Sequence, residues 1–257
     1  MVNDLGILGQ TFILVFFRVL AILWLLPLFA GTSIPTAYKA ALSLIIAFML
    51  LELVNPGDMT MASDVYYLSL LILKEIAVGI AIGFFVRILF TSVQIAGEVI
   101  SLQAGFGFAR FMDPYTQTQV SELSQILNLL ALTIFFSVDA HHMVFRGIFM
   151  SFKDLPLGGA AFKGPFFEYI IHTTGKVFSL GFKIGAPLII TLFLVELSLG
   201  LLSRMVPQVN VFIEGMPLKI MITIAMLAFS LSMLVPLLAD MFKGIDTEVP
   251  KIMRLVV

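Results

Sequence analysis

Apolar runs long enough to cross a bilayer recur along this chain, and they constrain its fold more than any other feature. Residues 5–29 carry a single charge, Arg18, and about 20 apolar residues suffice for a helix to span the roughly 30 Å hydrocarbon core. Further runs cover residues 40–54, 65–90, 126–138, 170–203 and 218–239. Composition agrees. The 257 residues are 60% hydrophobic and 12% charged, against roughly 45–50% and about 25% in soluble domains, and the mean hydropathy is +1.08. So little polar surface cannot coat a water-soluble particle of this size. The sequence predicts an all-α, multi-helix integral membrane protein. A net charge of −1, from 15 basic and 16 acidic residues, lacks the positive excess that phosphate-backbone binding needs and argues against nucleic acid. Zero cysteines exclude disulfides, thiolate metal sites and thiol nucleophiles. The acidic start, Met1-Val2-Asn3-Asp4, and the length of the first run predict no cleavable targeting segment.

Punctuation between the runs is uneven. Asn55-Pro56-Gly57-Asp58 is a strong turn signal. Residues 91–125 read as a helix ending in a polar loop beyond Asp113-Pro114, and Asp139, His141, His142 and Arg146 fall at the end of a fourth helical run. Residues 156–165 form a Gly-rich loop, residues 205–216 a second loop, and Pro217 is placed in a first turn, where proline is tolerated. Six alternating crossings would put Arg146, Lys153, Lys163 and Lys176 on the same side as Asp58 and Asp64. That violates the tendency of basic loops to stay cytoplasmic, so either two of the runs do not cross or the helices do not lie in the bilayer as a simple serpentine.

Few constellations carry chemistry. If Asp139, His141 and His142 share one helix, adjacent histidines point about 100° apart and only Asp139 and His142 share a face, which is short of the three or four ligands a zinc site needs. Gly105-Phe106-Gly107 starts like a dinucleotide fingerprint, but Arg110 occupies the third glycine position and no βαβ unit surrounds it. No nucleophile motif is present, and no enzymatic role, metal or cofactor is expected. Small-residue ladders are better signals: Gly79-x-x-x-Gly83, Gly181-x-x-x-Gly185, and Gly97, Ser101 and Gly105 place small side chains one turn apart, where two helix backbones can approach, within the chain or between subunits. Charges inside apolar runs, Arg18, Lys74, Glu75, Arg87, Glu98, Lys183, Glu196 and Arg204, are costly in hydrocarbon and need a protein partner, a cavity or a pore. Residues 105–114 form a glycine-loosened stretch studded with large apolar side chains, fit either to be buried or to close something.

Lys74-Glu75, Gly79, Gly83-Phe84, Arg87, Gln94, Gly97-Glu98, Gln103, Gly105-Phe106 and Asp113-Pro114, followed by Ala186-Pro187, Glu196, Gly200, Arg204, Pro207-Gln208-Val209-Asn210-Val211-Phe212, Gly215 and Pro217-Leu218-Lys219, resemble the FliR family of flagellar biosynthetic proteins over nearly the whole chain. Virulence type III secretion systems contain a homologous subunit. One departure is Ala140, where that family usually has glycine before the histidine pair.

The resemblance implies a subunit of the type III export gate in the bacterial inner membrane, at the flagellar basal body. It would pass unfolded export substrates, alongside P-type and Q-type subunits (FliP, FliQ) and the B-type switch protein (FlhB), with membrane lipid around it. It implies packed helical hairpins, with a P-type-like portion over residues 1–165 and a Q-type-like hairpin and short tail over residues 166–257. It also implies a channel plug at Gly105, Phe106, Gly107, Phe108, Phe111 and Met112. Assembly contacts would fall at Gly79, Gly83, Gly97, Ser101, Gly181 and Gly185, and buried charges at Lys74, Glu75, Arg87, Glu98, Glu196 and Arg204. A C-terminal hairpin loop would hold Pro207, Gln208, Asn210, Phe212, Pro217 and Lys219. A secondary transporter or ion channel is the competing class, resting on Pro187 and Glu196 in one long helix; no convincing internal repeat supports it.

Overall fold

The computed structural model describes residues 2–30, 34–54, 64–106, 121–206, 208 and 211–256. All regular structure among them is helical: α1 Val2–Leu25, α2 Pro27–Ala30, α3 Thr36–Leu51, α4 Val65–Ala104, α5 Glu122–Ser137, α6 Ala140–Asp154, α7 Gly164–Met205, α8 Val211–Lys243 and α9 Ile245–Val256. Among the described residues, four helical segments are long and apolar enough to cross a membrane: Gly6–Leu25, Val65–Ala104, Gly164–Met205 and Glu214–Val256. The α5–α6 pair makes a fifth if it counts as one broken span. The 16 residues of α3 fall short of the about 20 a crossing needs, which lowers the six expected runs to this number. At 40 and 42 residues, α4 and α7 rise about 60 Å each, double the hydrocarbon core. Both exceed the length of a plain crossing.

Three boundaries differ from the sequence expectation. The apolar run ending at residue 90 and the helix read from residue 91 are one element: α4 continues through Thr91, Ser92, Gln94 and Gly97 to Ala104, with Gln94 and Gly97 packed against Ser124 of α5. The helical run through Val138 and Asp139 does break. Asp139 adopts φ 56°, the only positive φ at a non-glycine among the described residues, a conformation that a short polar side chain tolerates. Finally, α8 starts at Val211, so Phe212, Pro217 and Lys219, expected in a hairpin loop, are helical and Pro217 is interior. Proline there removes one backbone donor and strains a turn, which membrane helices accommodate through their neighbours.

Two compact units divide the chain, residues Met1–Leu89, Asp139–Thr174 and Phe242–Val257 in one, Phe90–Val138 and Gly175–Met241 in the other. In the first unit α1 packs on α3 and α6 on α9. The α9 sequence is amphipathic: Ile245, Val249, Ile252, Met253 and Val256 recur at helical spacing and are all buried. Asp246 and Glu248 in its first turn and Arg254 in its last complement the helix dipole. A Cβ on Gly147 of α6 would lie 3.2 Å from Val249, so the two helices meet at a glycine. In the second unit Val93, Ala96 and Ile100 of α4 and Leu127, Ala131 and Phe135 of α5 are buried, with Phe90 and Phe135 edge to face at 5.5 Å.

The glycine ladders are filled by the chain's own helices. A Cβ on Gly79 would reach the Arg18 carbonyl at 2.5 Å, and one on Gly83 the Ile22 carbonyl at 2.9 Å. One on Gly97 would run into the Ser124 Cα, with the Ser124 Cβ at 2.8 Å, and one on Gly181 would lie 3.0 Å from the Ser92 carbonyl. Gly185 faces Ile100 at 3.6 Å, and Ser101 is buried. Because the obstacle at Gly97 is backbone, Gly97→Ala is expected to destabilise the chain by about 1–3 kcal/mol and Gly97→Leu by more. Gly200→Ala, in a helix interior with nothing within 4 Å of the added carbon, is expected to be neutral or to stabilise by up to about 1 kcal/mol. Thermal unfolding of the detergent-solubilised variants checks both; an unchanged midpoint for Gly97→Leu contradicts the contact.

Candidate functional site

At the centre of the first unit, two charges are sealed off from solvent. The Arg18 guanidinium of α1 and the Glu75 carboxylate of α4 are both fully buried, with Nε to Oε2 at 2.5 Å. All three guanidinium nitrogens donate. Nη1 donates to the Ser151 carbonyl at 2.9 Å and the Leu155 carbonyl at 3.2 Å, and Nη2 donates to Leu155 at 3.3 Å. The Phe152 ring lies 4.3 Å from the guanidinium carbon. The other Glu75 oxygen, Oε1, accepts the Gly158 N–H at 2.8 Å, and the Lys74 ammonium donates to the Gly158 carbonyl at 3.2 Å. Gly158 has φ 73°, a backbone that only glycine adopts without strain. One ion pair therefore fastens α1, α4, the C-terminal end of α6 and the turn that follows it.

The sequence flagged both charges but not their pairing, since 57 residues separate them. The signal was present in the ladder: Gly79 one turn after Glu75 brings α4 against the Arg18 backbone. In the chain by itself, Glu75 is buried, Glu98 half-buried, and Lys74, Arg87, Glu196 and Arg204 exposed.

A polar seam joins α4 to α5 in the second unit. Ser121 caps α5, its Oγ accepting the Ser124 N–H at 3.2 Å, while its own N–H donates to Glu98 Oε1 at 2.8 Å. Ser124 Oγ donates to the Gln94 carbonyl at 3.0 Å. The seam lies at the far end of the segment 107–120: Gly105, with φ 93° and the Met216 Cγ 3.5 Å from the position a Cβ would take, and half-buried Phe106 precede it, and Ser121 follows it. Gly107, Phe108, Phe111 and Met112 lie outside the described residues, as do Pro207 and Asn210. Gln208 is an exposed turn residue. Between α7 and α8, Glu196 and Lys219 pair at 3.2 Å.

Asp139, His141 and His142 come closer together than expected. Oδ1 of Asp139 lies 3.3 Å from His142 Nδ1, as a shared face leads one to expect, but with Asp139 outside the helix His141 joins them, one ligand atom from each of the three residues falling within 4.8 Å of the others. The premise that all three share one helix is corrected. Side chains about 70% exposed at Asp139 and His142 make this a surface cluster. Ala140 is fully buried, and the special backbone of this turn falls one residue earlier, at Asp139.

A buried ion pair on paired membrane-length helices, with close glycine crossings and a capped polar seam, defines an all-helical integral membrane protein built for helix packing. Residues 10–245 match the family described as bacterial export proteins, family 1, and the chain belongs to it. It is 33% identical to the flagellar biosynthetic protein FliR of Bacillus subtilis (strain 168), covering 93% of both chains. It is 31% identical to FliR of Escherichia coli (strain K12), covering 89% of this chain and 87% of that one. The Yop proteins translocation protein T of Yersinia pestis is 32% identical over 61% of this chain and 60% of its own length.

The pair at Arg18 and Glu75 generates a sharp expectation. Glu75→Gln strands a buried guanidinium and is expected to cost about 3–5 kcal/mol, whereas Arg18→Met with Glu75→Leu removes both charges and recovers most of that loss. Unfolding midpoints of the two single variants and the double variant in detergent measure the coupling; additive losses contradict it.

Proposed function

We propose that this chain is a subunit of the type III export gate of the bacterial inner membrane, at the flagellar basal body, through which unfolded flagellar proteins leave the cytoplasm. The observation that carries this reading is family membership across residues 10–245 together with FliR relatives matched over about nine-tenths of their length. The physical support is a surface that the chain does not cover itself. Only 22% of the most apolar window of α7, and 17% of that in the α8–α9 segment, is buried, leaving Phe193, Leu197, Leu201, Met221 and Phe229 exposed. Helices of this kind need lipid or other subunits around them. P-type and Q-type subunits (FliP, FliQ) and the B-type switch protein (FlhB) supply them in this reading, with residues 1–165 as the P-type-like portion and 166–257 as the Q-type-like hairpin. The role is conduction, without catalysis.

In the same reading the stretch from Gly105 to Met112 is the plug. A pore for unfolded chains must be tight to ions at rest, and apolar constrictions achieve this by excluding water. Phe106, Phe108, Phe111 and Met112 supply bulk, while Gly105 and Gly107 let the backbone move aside. Replacing Phe106, Phe108 and Phe111 together with Ala, in cells that also express the partner subunits, is expected to leave an assembled gate that leaks ions, read as conductance or small-solute influx. An assembled triple variant that stays tight overturns the plug. Loss of the assembly on a native gel assigns these rings to a core instead. A chain that purifies as a stable, monodisperse particle without partners contradicts the gate reading itself.

A further inference from the structure

In the first unit an apolar groove of about 370 Å³ runs between α1 and α4, lined by Phe17, Leu20, Ala21 and Trp24 of α1 and by Ile76 and Ile80 of α4. A cavity walled by hydrocarbon excludes water and accepts hydrocarbon. What distinguishes this groove from other apolar surface is the chemistry at its Trp24 end. Lys39 is 7% exposed, and its ammonium rests 5.2 Å from the centroid of the Trp24 ring. Among the described residues, no carboxylate or carbonyl meets that ammonium.

Three further features make the spot electropositive. Lys39 lies in the first turn of α3, the positive end of the helix dipole, where cations are disfavoured and anions favoured. The N-cap is Pro35, which gives no side-chain cap, and the first turn holds no acidic residue. Lys39 also belongs to the inward stripe of α3, with Ser43, Ala47 and Leu50, so it does not simply reach into solvent. Trp24 is one residue from the end of the candidate span Gly6–Leu25, at the level where aromatic and basic side chains meet lipid headgroups.

From the buried Lys39 side chain, its ammonium over Trp24 at the end of this groove, we infer that the groove holds one anionic phospholipid, its phosphate at Lys39 and the N-terminus of α3 and an acyl chain between α1 and α4. A cation with no protein counter-charge at the end of an apolar groove is matched by a neutralising anion. A singly anionic headgroup supplies one, whereas a zwitterionic one brings its own cation to a site that already has an excess. The hydrocarbon groove selects a tailed anion over free phosphate. This inference stands apart from the export reading.

Trp24 is the single tryptophan of the chain, so the groove carries its own reporter. The full-length chain in detergent, titrated with brominated phosphatidylglycerol or brominated phosphatidylcholine, is expected to show Trp24 quenching at about fivefold lower mole fraction of the anionic lipid, the preference that one basic residue confers at an anionic membrane surface. Lys39→Gln is expected to abolish the preference and Lys39→Arg to keep it. Ile80→Phe, which fills the groove wall, is expected to weaken quenching by both lipids. If Lys39→Gln fails to fold, the Arg and Phe variants still decide. Equal quenching by the two lipids in the native chain, or a preference that survives Lys39→Gln, overturns the site. So does native mass spectrometry of the chain co-purified with its partner subunits showing no retained phosphatidylglycerol, which would assign the groove to a protein segment.

Discussion

Glu75 can sit in an apolar helix only because Arg18 meets it, and much of the first unit depends on that pair. Removing two charges from water costs several kcal/mol per ion, and the loss is offset only when geometry and remaining hydrogen bonds are complete. Here one carboxylate oxygen takes the guanidinium, the other takes the Gly158 N–H, and the remaining guanidinium nitrogens reach the Ser151 carbonyl in the last turn of α6 and the Leu155 carbonyl just after it. Apolar helices slide past one another at little cost, because one methyl resembles the next. A charge pair with directed partners does not slide, so it fixes the register of α1 on α4 and leaves Gly79 and Gly83 opposite the Arg18 and Ile22 backbones.

The close crossings explain how much was legible in the sequence. Glycine at four-residue spacing is visible without a structure, and each ladder did mark a contact. The partner was not visible: Gly97 could have faced another subunit, and only the fold shows Ser124 filling the space. Helix type was equally legible from long apolar runs, but their ends were not. The span of α4 reads as two pieces, an apolar run to residue 90 and a helix from residue 91, because the polar Thr91, Ser92 and Gln94 interrupt the apolar pattern. Packed against α5, through the Ser124 hydroxyl on the Gln94 carbonyl, they continue the helix.

Asp139 shows the opposite failure. Nothing in Val138-Asp139-Ala140 has the look of a breaker, and the helix-face argument for the histidines followed from assuming continuity. A left-handed residue needs glycine, or a short polar side chain that tolerates the cost, and aspartate is common enough in helices for this signal to be missed. The consequence is local but chemical: with Asp139 outside the helix, His141 joins His142 beside its carboxylate, one ligand atom of each lying within 4.8 Å of the others.

Burial divides the long helices by task. Two-thirds of the most apolar window of α4 is covered within the chain, against about a fifth of those in α7 and the α8–α9 segment. The fully buried ion pair and the close crossings at Gly79, Gly83 and Gly97 accordingly fall on α4, whose surroundings the chain itself supplies. On α7 and α8 the ion pair of Glu196 with Lys219 keeps the carboxylate half exposed, and large apolar side chains such as Phe193 and Phe229 are exposed. A helix that meets its own neighbours can encode its packing completely, in charges and small residues matched across the contact. A helix that meets lipid or another subunit carries only half of such a match, and its apolar surface therefore indicates that something covers it while leaving the identity of the cover to the other half.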